Sequence, residues 1–144
     1  MNTKFNVKQW AIGSLAVFII MTLFASILAK LGVEPWAALS APPLGGAPHD
    51  PGTQRILIYL SRVFAAGLFT FVFTKGYEGK PGLGEGLRYG FWIGLLVYVP
   101  AFLFGLAVSD LPASSQINQF VKGMVEAIIC GVVVGQLYKA SKPS

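Results

Sequence analysis

The pattern of apolar and polar positions divides the chain into four long apolar runs joined by polar, glycine- and proline-rich connections. The runs are Trp10 to Ala29, Ile56 to Thr74, Leu87 to Val108 and Ile117 to Tyr138. None alternates with a period of two, as a half-buried strand would. Each is close to the ~20 residues that cross ~30 Å of hydrocarbon at 1.5 Å per residue. Within lipid a backbone must satisfy its own N–H and C=O groups, so these runs are read as helices. The pattern predicts helices over approximately 8–30, 55–75, 86–109 and 116–139, with a long outer loop over 31–54. The expectation is an all-α membrane protein. It is one integral membrane domain spanning 1–144, with four transmembrane helices in a compact bundle.

The first run could be taken for a signal peptide, but it exceeds the about 7–15 apolar residues of a signal h-region. It is expected to be a retained first span. The outer loop carries Pro35, Pro42, Pro43, Pro48 and Pro51. Proline punctuates regular structure yet tolerates the first turn of a helix, so a short interfacial turn is expected around Pro35 to Ser40. The rest reads as irregular chain, either a docking surface or a spacer. The ends of the second and fourth runs, FVFTKGYEGK and VVVGQLYKASK, echo each other too weakly to be a repeat.

Composition agrees with the pattern. Of 144 residues, 54% are hydrophobic and 12% charged, about half the charged fraction of a typical soluble domain. The net charge of +5 sits between the runs, which excludes the basic stripe of a nucleic-acid-binding protein. Lys4 and Lys8 precede the first run. Lys75, Lys80 and Arg88 fill the second connection, and Lys139 and Lys142 follow the last run. By the positive-inside rule both termini are cytoplasmic and the first and third connections face outward. The expected location is the bacterial inner membrane, multi-pass. Trp10, Trp36, Tyr77, Tyr89, Trp92 and Tyr138 fall near the predicted interfaces, where amphipathic rings settle.

Small residues suggest how the helices meet. Helices in lipid associate through close packing rather than hydrophobicity, so small side chains mark contact faces. Gly123, Ala127, Gly131 and Gly135 recur every four residues in the fourth run, as do Gly86, Gly90 and Gly94 in the third. Contact within the bundle, between copies or with another protein would all use such stripes. Pro100, in the middle of the third run, removes a helical hydrogen bond. It is expected to act as a hinge, the edge of a cavity, or a static kink.

Two charges fall inside the spans. An ionisable group in hydrocarbon costs roughly 2.5–3.5 kcal/mol on insertion scales. Arg62 lies seven residues beyond Arg55 and Glu126 eight beyond Asn118, about 10 and 12 Å along their helices. Equal depth predicts an interhelical ion pair between Arg62 and Glu126. Lys122 lies four residues before Glu126, on the same helical face. Intramembrane acids also mark transport paths, which is the alternative reading of Glu126.

Other chemistry is sparse. Cys130 is the sole cysteine and reads as a small packing residue. His49 stands beside Asp50 and could join Glu34 or Asp110 at a metal only if a third or fourth ligand converged. No P-loop, HExxH or nucleophile motif occurs, and GKPGLGEG follows a span rather than a strand, which argues against dinucleotide binding. No cofactor, metal or catalytic residue is expected.

The segment KGYEGKPGLGEGLRYGFWIGLL, with the later GVVVGQLYK, resembles uncharacterised small four-helix bacterial inner-membrane proteins over residues 75–139. That resemblance implies four spans and no known activity. The expected function is therefore non-catalytic: an accessory or scaffold subunit packing against a larger membrane complex, respiratory, photosynthetic or another oxidoreductase assembly. The alternative is a small oligomeric transporter or channel using Glu126 and Arg62. Expected partners are membrane lipids and other membrane subunits or further copies of the chain, with no nucleic acid.

Overall fold

The computed structural model describes residues 6–31, 51–77, 82–108 and 112–139. These form four helices: α1 (Val7–Lys30), α2 (Pro51–Gly76), α3 (Gly82–Val108) and α4 (Ala113–Lys139). All four are long and apolar enough to cross a membrane, and they pack together as an all-helical bundle. The chain thus has the character of a multi-pass membrane protein. The turn expected at Pro35 to Ser40 lies outside the described residues, as do Lys4, Glu34, Trp36, His49, Asp50, Lys80, Asp110 and Lys142.

Three helices begin earlier than hydropathy alone suggests: α2 at residue 51 rather than 55, α3 at 82 rather than 86, and α4 at 113 rather than 116. Apolar runs stop at the first polar or glycine residues, whereas a backbone continues its turns past them. Proline at the first position of α2 gives up no helical hydrogen bond, because that N–H has no intrahelical partner anyway. The carbonyl of Pro112 accepts from the N–H groups of Ser115 and Gln116 at 2.9 and 3.3 Å, closing the first turn of α4. At α1 the Asn6 side-chain oxygen accepts from Gln9 N at 3.3 Å, the arrangement of an N-cap. α3 runs unbroken through Pro100.

Several hydroxyl groups inside the helices bond locally, whereas the buried Ser14 and Thr70 hydroxyls have no hydrogen-bond partner among the described residues. Thr22 donates to the Phe18 carbonyl at 2.8 Å, Ser26 to Thr22 at 2.7 Å and Thr74 to Phe71 at 2.7 Å. Such back-bonding lets polar side chains remain in apolar spans. The outside of the bundle is lined with large apolar side chains, among them Ile19, Leu23, Phe64, Leu68, Leu96 and Phe104. That is the surface hydrocarbon would solvate.

α4 is the most enclosed helix, with 39% of its apolar window buried against 11–22% for the others. It packs against α1, α2 and, most closely, α3. The α3–α4 pair is antiparallel: Gly86 faces Gly131, Gly90 faces Ala127, Gly94 faces Met124 and Gly105 faces Gln116. The other hairpin joins through Trp10, whose indole N–H donates to the Gly67 carbonyl at 3.0 Å, and through Gly13 against Thr70.

Candidate binding cavity

The small residues of α3 and α4 divide into two sets. At one end they admit backbone. A Cβ at Gly86 would overlap the Gly131 carbonyl, one at Gly131 the Gly86 carbonyl and Gly90, and one at Gly135 the Gly82 carbonyl. A Cβ at Gly90 would lie 2.8 Å from the Ile128 Cα. Here the two main chains touch. Farther along the pair the glycines admit side chains instead. Gly94 accepts the Met124 sulfur, Gly123 the Tyr98 ring and Gly105 the Gln116 amide. Beyond Gly94 the facing positions carry Tyr98, Phe102, Phe120 and Gln116, so side chains rather than main chains fill the space between the helices there.

The contact end is sealed by rings. Phe73 of α2 is buried and lies 5.0 Å from Tyr89 and 5.7 Å from Tyr138, both edge-to-face, and 5.9 Å from Tyr77. Tyr89 also meets Phe69 at 5.0 Å and donates to the Phe69 carbonyl at 2.6 Å. Edge-to-face pairs at these distances are favourable, and the phenol finds the partner that burial demands. Cys130 and Val134 complete this core with Val17 and Ala66.

The opposite end holds a half-open cavity of about 370 Å³ lined by all four helices. It lies between the second half of α1, the middle of α2, the second half of α3 and the first half of α4. Its apolar lining includes Met21, Phe24, Leu28, Phe102 and Phe120, the last two with ring centres 5.5 Å apart. Its polar lining includes Arg62, Lys122 and Glu126, with Gln116, Gln119, Ser61 and Tyr98. Glu126 and Arg62 come from different helices, and the guanidinium acts electrostatically on the carboxylate. Lys122 stands one turn before Glu126 on the same wall. The three intramembrane charges named from the sequence therefore share one cavity. Tyr98, Ala101 and Phe102, which flank Pro100, line it too.

Burial of Gln116 (6% exposed) and Glu85 (5% exposed) escaped the sequence reading. Gln116 sits in the first turn of α4, at the first residue of the predicted fourth helix, and its only sequence signal is the small residue Gly105 opposite. Glu85 falls in the first turn of α3, where the unpaired helix N–H groups favour a carboxylate. With Arg88, Tyr89 and Trp92 it borders a second hollow of about 330 Å³ at the sealed end. Among the described residues no three His, Cys, Asp or Glu side chains gather as metal ligands, and Cys130 is a buried free thiol.

Comparison of the chain with protein-family models, curated proteins and solved structures gives no match.

Proposed function

We propose that the protein binds a small solute in the four-walled cavity and acts as the binding unit of a small, oligomeric inner-membrane transporter. In this reading both termini are cytoplasmic, because Lys8, Lys75, Arg88 and Lys139 lie toward the sealed end. The cavity then opens outward and the ring cluster closes the cytoplasmic side. The single observation that carries the proposal is the cavity lined by Arg62, Lys122 and Glu126. A bundle that only filled space would have little reason to keep Arg62 and Glu126 about 10 and 12 Å into their spans, with Lys122 one turn away, given the insertion cost. No bond-making step is assigned to these residues.

The test is a thermal-shift screen of the purified protein against small carboxylates, phosphates, amines and inorganic cations, followed by flux of any stabilising solute into liposomes. Stabilisation by one chemical class, with flux that Glu126→Gln or Lys122→Gln alters, supports the proposal. No stabilisation and no flux overturns it.

The second reading is the accessory subunit. Its glycine stripes are occupied inside the chain, since α3 and α4 fill each other's, so they no longer argue for an outside partner. What favours it instead is α1, whose Ile12, Leu15, Ile19, Leu23 and Ile27 form an exposed aliphatic ridge at three- and four-residue spacing, a spacing that suits a neighbouring helix. Stoichiometric co-purification with larger subunits in mild detergent, lost on Leu15→Ser with Leu23→Ser, would favour that reading over transport.

A further inference from the structure

Resting on the cavity reading above, we propose that the ligand is a single-chain amphiphile with an anionic head, a carboxylate or phosphate monoester on a short hydrocarbon tail. The cavity lining combines two kinds of group. Arg62, Lys122 and Glu126 supply charge, and Phe24, Phe102 and Phe120 supply apolar surface. A site of this kind orients a ligand by one polar end and holds the rest by apolar contact.

The sign of the head follows from the charges. Arg62 and Lys122 contribute two cations and Glu126 one anion, so the described lining residues carry one excess positive charge. Glu126 balances one of the two cations, which leaves one positive charge for a ligand to answer, and Lys122 is the more flexible of the two cations. Excess charge is costly in a low-dielectric setting and is relieved by a counter-charge. Lysine on its flexible stem offers three donors to oxygen atoms of a carboxylate or phosphate, and the amides of Gln116 and Gln119 line the same cavity.

Size limits the tail. At about 30 Å³ for each water-sized group, 370 Å³ holds about a dozen heavy atoms. A two-chain phospholipid has several times that number, whereas a medium-chain fatty acid fits. A ligand held within this volume is a single-chain molecule, and a two-chain phospholipid would place most of its atoms outside it.

The experiment is calorimetric titration of the full chain in nanodiscs of zwitterionic lipid, with empty nanodiscs as the blank. The probes are octanoate, octylammonium, acetate and inorganic phosphate. Octanoate should bind at least tenfold more tightly than each of the other three. Lys122→Gln should weaken octanoate at least tenfold, and Glu126→Gln, which removes the competing anion, should tighten it severalfold. The opposite signs of the two variants separate a charge effect from general loss of fold. Octylammonium binding as well as octanoate would overturn the anionic head. Acetate or phosphate matching octanoate would overturn the tail. Either result leaves a solute cavity standing, whereas the absence of any binding by all four probes would remove both this inference and the cavity reading beneath it.

Discussion

The two ends of the α3–α4 pair are built from the same residue type and behave differently. At the sealed end Gly86, Gly90, Gly131 and Gly135 bring main chain against main chain; at the cavity end Gly105 and Gly123 make room for Gln116 and Tyr98. A glycine stripe is therefore not one device. Where the facing residues are also small, it joins two helices along their backbones. Where they are large, it seats a side chain between the helices. The first use gives rigidity, because backbone cannot rotate away from a clash. The second gives a shaped space, because a ring or amide can. The bundle thus carries an end of backbone contact, reinforced by the Phe73 ring cluster, and an end of side-chain contact whose cavity is lined by Arg62, Lys122 and Glu126.

The largest effect should come from breaking the end of backbone contact. Gly131→Leu would drive a side chain into the backbones of Gly86 and Gly90, beyond the about 1–3 kcal/mol of ordinary overpacking. Loss of folded, monodisperse protein in size-exclusion chromatography is expected, while Gly84→Ala, which meets nothing within 4 Å, should behave as wild type. Phe73→Ala removes the ring that touches three tyrosines and should cost about 3–5 kcal/mol in reversible unfolding from bicelles, with solute binding retained once folded. Next come the charges. Glu126→Ala should lower folded yield by leaving Arg62 without its acid, and adding Arg62→Ala should restore part of it, as expected when the lone partner is the costly species. Equal yields for wild type and Glu126→Ala would count against the coupling. The smallest effect on stability is expected at the cavity end. Gly123→Ala presses on the Tyr98 ring, which can turn, so it should cost about 1 kcal/mol yet weaken solute binding by reshaping the cavity wall. A Gly123→Ala variant as damaging as Gly131→Leu would erase the distinction between the two ends.

Much of this was legible in the sequence because lipid leaves a chain few options. Twenty apolar residues with no internal alternation must close their own hydrogen bonds, and the four runs correspond to four helices. The depth argument that set Arg62 level with Glu126 needed only the rise per residue, and both residues line one cavity. What could not be read was which way each glycine faces and what it meets. Gly90 and Gly123 look alike along the chain; one meets a backbone and the other a ring, and that depends on the residues opposite. Gln116 and Glu85 were missed because hydropathy ends a span at its first polar residues, although the helix continues and buries them. The ring cluster was invisible for a related reason. Tyr89 and Tyr138 were assigned to the membrane interface as amphipathic rings, whereas they turn inward onto Phe73.

Two adjacent residues of α4 give the most direct test. Glu126 faces the cavity, while Val125, 43% exposed, faces outward at the same depth. In a Cys130→Ser background, Glu126→Cys and Val125→Cys should differ in their reaction with a charged, membrane-impermeant thiol reagent. Thiolates form in water rather than in hydrocarbon, so a water-connected cavity predicts modification at position 126 at least tenfold faster than at 125. Equal rates at the two positions would contradict the existence of a solute-accessible chamber between the helices.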